Sequence, residues 1–101
     1  MKFEWSESKV GLRVVVRGEL EVTSCNCLEH FWERYISPRD EVHLDLGEVE
    51  SSDEAGRETL ARLVSERLAA NQELVIWRAP EDIREALRGQ GLDKHSSLTL
   101  E

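Results

Sequence analysis

Apolar and polar residues fall into two periods along the chain, and the switches between them mark the elements. Phe3 and Trp5 alternate with Lys2, Glu4 and Ser6, the period of a strand with one buried face at a sheet edge. Gly11 falls in a turn region. Leu12 to Val16 then contains the unbroken run Val14-Val15-Val16, which predicts an inner strand covered on both faces and closed by Gly18. Thr23 or Ser24 caps a first helix, in which Leu28, Phe31, Trp32, Tyr35 and Ile36 follow i, i+3, i+4, i+7, i+8 to about residue 36. That broad stripe reads as packing against a sheet and not as a ligand cage.

The most informative stretch is Glu41 to Asn71. Val42, Leu44 and Leu46 alternate as a strand, Gly47 ends it, and an acidic turn follows with Glu48, Glu50, Asp53 and Glu54. Leu60, Leu63, Val64 and Leu68 then mark an amphipathic helix, with Asn71 as a left-handed cap. Beyond it come an inner strand at Leu74–Trp77 and a helix opened by Pro80, Glu81 and Asp82. Ile83, Ala86 and Leu87 form that helix's core face, Gly89 or Gly91 ends it, and Ser97–Leu100 is a last short strand. The order β-β-α-β-α-β-α-β predicts an α/β fold: a mostly parallel four- to five-stranded sheet with packed helices, its first strand antiparallel at the edge. A turn at the carboxyl end of a strand in such a sheet is a place where partners dock.

Composition narrows the classes. A formal net charge of −8 over 101 residues argues against nucleic acid or an anionic lipid surface and favours a partner with basic patches. No apolar run is long enough to span a bilayer, so direct membrane insertion is not expected. The polar start MKFEWSESK does not resemble a signal peptide, which leaves the cytoplasm as the expected location. Cys25 and Cys27, two apart on a helix, diverge and are expected to be free thiols. Cys27 and His30 share a face but lack a second pair of ligands, so no metal is expected, and no cofactor. His30, His43 and His95 are scattered, and no nucleophile elbow, P-loop or dinucleotide fingerprint is present. The chain is therefore expected not to be an enzyme.

DLGEV followed by DEAG and a helix, together with VVVRGEL at 14–20, LVIW at 74–77 and IREALRGQGLD at 83–93, resembles the STAS domain of anti-sigma-factor antagonists. The resemblance runs through nearly the whole chain and implies one STAS-like domain over 1–101. Members usually continue into another C-terminal helix, and the chain stops where that helix would begin. In the family an Asp-Ser-Ser-Gly or Asp-Ser-Thr-Gly motif opens the central helix, and one of its hydroxyls is phosphorylated by a partner kinase. Here the aligned residues are Asp53-Glu54-Ala55-Gly56, so the phosphoacceptor positions Glu54 and Ala55 carry no hydroxyl. Glu54 supplies about one negative charge where a phosphate would bring nearly two. Ser51 and Ser52 stand close by as shifted acceptors. Arg57 replaces the family's usual Leu, and is expected to be exposed and linked to Glu54 or Glu58.

The resemblance thus makes Ser51, Ser52, Asp53, Glu54, Ala55, Gly56 and Arg57 the expected partner-binding surface. The implied function is a protein-binding regulatory module whose partner is an anti-sigma factor or related kinase. The alternative is an accessory subunit of a transporter ATPase of the phospholipid-trafficking type. Side-chain chemistry offers a plainer account of part of this stretch. Asp53 can cap the helix, Glu54 suits its positive end, and Ser51 and Glu54 have capping-box spacing. Gly56 weakens a helix interior, which points to close approach by another backbone or by a partner.

Overall fold

The computed structural model describes residues 1–9 and 11–101. Strands β1 (Lys2–Ser8) and β2 (Gly11–Leu20) form an antiparallel hairpin. Strands β3 (Glu41–Ser52), β4 (Glu73–Trp77) and β5 (Leu98–Leu100) add in parallel, giving a five-stranded sheet in sequential order. The connections carry helices α1 (Cys25–Phe31), α2 (Glu54–Ala69) and α3 (Glu81–Gly89). A 3₁₀ turn, Val22–Ser24, leads into α1, and a π-helical turn, Trp32–Ile36, extends it. The expected element order and sheet are thus observed.

Sequential order decides where the helices go. Parallel crossovers are right-handed, so a sheet built outward in one direction receives every helix on the same face. Leu12, Val14 and Val16, Val42, Leu44 and Leu46, and Leu74 and Ile76 all point to that face and are buried. Val15, His43 and Val75, on the opposite face, are only half-buried. The expectation that Val14-Val15-Val16 is covered on both sides is therefore wrong. The run reflects β-propensity, and β2 has one covered face.

Neither glycine ends its strand. Gly18 sits at φ 100° where the β2–β3 register shifts, and the strand runs on to Leu20. This bulge uses a backbone conformation open mainly to glycine. Gly47 lies inside β3, with the Arg78 side chain laid over it. Asn71 does adopt the left-handed conformation, at φ 59°. The aromatic stripe of α1 packs as expected: Phe31 stacks on Phe3 at 4.2 Å, and Trp5 leans on Phe31 and Tyr35 at the sheet edge. Cys25 and Cys27 are both free.

On the uncovered face, Asp45 is buried, and its two carboxylate oxygens accept from Arg78 at 2.9 and 3.1 Å. The Gly47 N–H adds a third bond at 2.9 Å. Burial alone would push the Asp45 carboxyl up. The Arg78 and Gly47 hydrogen bonds outweigh it, and the group is held below the usual carboxylate range. Because the folded value is depressed, the ionised form stabilises the fold above the unfolded value of about 3.9 and stops doing so as pH falls through the folded value. Asp45→Asn is expected to lower the melting temperature at pH 7, with the gap to wild type closing below about pH 4. A gap that does not change with pH would assign the loss to packing instead.

Candidate functional site

The acidic turn is assembled where three segments converge: the end of β2, the end of β3 and the start of α2. Asp53 is the hub. Its backbone is extended, and one carboxylate oxygen accepts from the Gly56 N–H at 2.7 Å, capping α2. The other accepts from the Val22 N–H at 3.0 Å, and the Asp53 N–H donates to the Leu20 carbonyl at 3.1 Å. Asp53 therefore ties the β2–α1 connection to the start of α2. The Gly56 bond first, and the Val22 bond after it, hold its carboxyl below the usual range.

Gly56 is buried directly beneath that connection. A Cβ here would stand 2.5 Å from the Leu20 carbonyl carbon and closer still to its oxygen. Close approach by another backbone, one of the two readings of this glycine, is what the structure shows. Gly56 thus gives the turn its shape and presents no surface of its own. Cys25 Sγ lies in the same seam, 3.3 Å from the Thr59 hydroxyl, which donates to it.

The expected capping box is absent: Ser51 is exposed, and Asp53 alone caps the helix. Ser52 Oγ instead donates to Asp82 Oδ2 at 2.7 Å, at the start of α3. Arg57 is also placed differently from expectation. It is half-buried and donates to the Ser52 carbonyl at 2.8 Å and to Ser52 Oγ at 3.0 Å. Its ion-pair partner is Asp82, at 3.6 Å, and not Glu54 or Glu58. Ser52, Arg57 and Asp82 form a clasp between the α2 and α3 N-termini. Asp82 is about 30 residues away in sequence, so local spacing gave no sign of it.

Glu54 is left over. It is exposed in the first turn of α2, and among the described residues its side chain makes no hydrogen bond or ion pair. The positive end of the helix favours a carboxylate there. Two more acids join the rim from β2 and its loop: Glu19 lies against Glu21 and, with Asp53 adding to the field, raises the Glu21 carboxyl. Sequence reading missed both, because they belong to a segment that reaches the turn only through the fold. Val22, 64% exposed, stands beside them. Ser51, Ser52, Asp53, Glu54, Ala55 and Arg57 do come together at this end of the molecule, though only Ser51 and Glu54 are fully exposed.

Among the described residues, no helix is long and apolar enough to cross a membrane, and no group of His, Cys, Asp and Glu could hold a metal ion.

No curated protein matches the chain. Solved structures do match its fold. An assigned anti-sigma factor antagonist from Thermotoga maritima superposes with a TM-score of 0.70 at 14% identity, covering 98% of this chain and 86% of that one. The anti-sigma factor antagonist SpoIIAA in its unphosphorylated form gives 0.66 at 9% identity, over 99% and 87%. A variant of Moorella thermoacetica RsbS gives 0.65 at 13% identity, over 100% and 86%. At such identities these likenesses speak for the fold. The family described as Mlab, STAS domain matches residues 3–100, and the chain belongs to that STAS-domain family.

Proposed function

We propose that this STAS domain is a non-catalytic regulatory module that binds a protein partner through the rim of the α2 N-terminus, with its negative charge built in at Glu54 and not added by a kinase. The supporting observation is the division of labour within Asp53-Glu54-Ala55-Gly56. Asp53 and Gly56 are used internally, as cap and close-approach residue, while Glu54 faces solvent and, among the described residues, its side chain makes no hydrogen bond or ion pair. The similarity to anti-sigma-factor antagonists supports a partner of the anti-sigma or kinase-like type. The missing hydroxyls also suit a second reading, an accessory subunit of a transporter ATPase, in which no phosphorylation cycle is needed at this turn.

Affinity capture from the source cell with wild type, Glu54→Ala and Glu54→Ser tests the reading. Glu54→Ala is expected to weaken retention of the partner about three- to tenfold, as for an exposed charge at an interface rim. Its melting temperature should hold, because Asp53 and not Glu54 caps the helix. An anti-sigma kinase or an ATPase subunit in the retained fraction separates the two readings. Equal retention by all three forms, or stoichiometric phosphate on Ser51 or Ser52 after incubation with the partner and ATP, would overturn the built-in charge.

A further inference from the structure

With every helix on one face, the open face of the sheet carries side-chain chemistry of its own. Two aromatic rings meet there on neighbouring strands, His43 on β3 and Trp77 on β4. Their centroids are 6.2 Å apart and their planes 25° apart. The Trp77 indole N–H donates to His43 Nδ1 at 3.2 Å, inside hydrogen-bond range. Among the described residues this is the indole's one hydrogen bond.

That bond sets the state of the imidazole. An indole nitrogen is a donor only, so Nδ1 must offer a lone pair. His43 is then neutral, with its proton on Nε2. Nε2 lies 3.6 Å from Glu41 Oε1, too far for a hydrogen bond but close enough for charge to be felt. A second proton would go to Nδ1. Two N–H donors would then face each other, and the bond to Trp77 would be lost. The same proton makes His43 a cation beside Glu41. The two ring nitrogens thus have partners that favour opposite charge states.

The other charged groups around His43 do not bond its ring. Arg13 lies directly across on β2, Asp45 two residues on along β3, and Glu73 diagonally on β4. Arg78 holds Asp45 at 2.9 Å, so that pair largely cancels. Arg13 opposes a charge on His43 and Glu73 favours one, which leaves Glu41 as the nearest carboxylate. At this level β1 adds Ser6 and β5 adds Thr99, and Glu4 on β1 is paired with Arg17. Trp77 is 36% exposed and lies outside the apolar core, so its ring can move without opening that core.

We infer that His43 is a pH-operated latch on Trp77. Neutral, it holds the indole in place on the open sheet face; protonated, it turns to Glu41 and lets the indole go. The surface at the end of β4 therefore differs between neutral and mildly acid conditions, while the helices and the core stay as they are. No residue of the α2 rim takes part, so the latch stands apart from the proposed docking site.

Nitrogen-15 NMR of the full chain, titrated from about pH 8 to about pH 5, the span over which histidine changes charge, tests the latch. Trp77→Phe assigns the Trp77 indole resonance among the three tryptophans. At the upper end His43 is expected to carry its proton on Nε2, and the Trp77 indole proton to resonate downfield as a bonded one. On acidification that resonance should move upfield together with protonation of His43 Nδ1. Trp5 and Trp32, which pack on the helix side, should not follow. In His43→Gln the side chain does not titrate, and the Trp77 resonance should stay flat, wherever it lies. Glu41→Gln removes the partner of the charged state and should move the release to lower pH. A Trp77 resonance that holds still in the wild type, one that moves as far in His43→Gln, or a release at the same pH in Glu41→Gln overturns the inference. So does a neutral His43 with its proton on Nδ1.

Discussion

Gly56→Ala is expected to destabilise the domain by about 2–3 kcal/mol, although the substitution should favour the helix in isolation. Two effects oppose each other. Alanine in a helix interior is worth about 1 kcal/mol over glycine. Against this, the new methyl would stand 2.5 Å from the Leu20 carbonyl carbon and nearer to its oxygen. Overpacking of a tight site costs roughly 1–3 kcal/mol and occasionally more. Here the obstacle is backbone, which cannot rotate aside as a side chain can. The Leu20 carbonyl also accepts the Asp53 N–H, so moving it away would loosen the cap as well as the contact. The clash therefore outweighs propensity. For a domain of this size the loss corresponds to a fall of about 10–20 °C in melting temperature. Gly89→Ala is the control, since a methyl there would meet nothing within 4 Å and the helix end is exposed; it should be neutral. A Gly56→Ala protein as stable as wild type would mean that the β2–α1 connection moves freely, and that the turn is not held in one shape for a partner.

The parts of this fold that sequence revealed are those set by local rules. Strand and helix periods, the Asp53 cap and the left-handed Asn71 depend on neighbours within a turn or two, and each is observed. What sequence hid depends on segments far apart along the chain. Gly18 and Gly47 looked like stops because glycine is common at turns, yet a bulge and an overlying side chain are equally good uses of it. The valine run looked doubly covered because β-branched residues favour strands whether one face is buried or two. The clasp of Ser52, Arg57 and Asp82 and the rim acids Glu19 and Glu21 were invisible for the same reason: their proximity comes from sheet order. In the candidate site, the residues that shape the turn were legible by type, but their division into internal work and free surface needed coordinates. Arg67 is the exception, since its signal was present. It occupies the i+7 slot of the stripe that starts at Leu60, between Leu63, Val64 and Leu68, where an apolar residue belongs.

That arginine should give a larger loss than Gly56→Ala. Arg67 is 3% exposed. Its guanidinium donates to the Glu73 and Arg39 carbonyls at 2.9 Å and to those of Ile36 and Asp40 at 3.2 Å. It thereby gathers the end of the α1 π turn, the loop before β3 and the start of β4 around the last turn of α2. Burial lowers its pKa, with Asp40 opposing, and among the described residues no carboxylate pairs with it. The backbone dipoles take the place of a counter-ion. Arg67→Met keeps most of the aliphatic stem but takes a donor from four carbonyls; that of Ile36 keeps the Arg39 N–H at 3.0 Å, and each one left unpaired costs roughly 1–3 kcal/mol where water cannot reach it. Partial hydration from the exposed loop reduces the sum, and a net loss of about 3–5 kcal/mol is expected, a large fraction of the 5–15 kcal/mol that holds a typical domain. Arg67→Lys should recover only part of this, because a compact ammonium cannot span four acceptors arranged for a planar fork. Urea unfolding of the three proteins measures both steps. A methionine variant within about 1 kcal/mol of wild type would show that these carbonyls find water readily, and that the three segments are held by the apolar core alone.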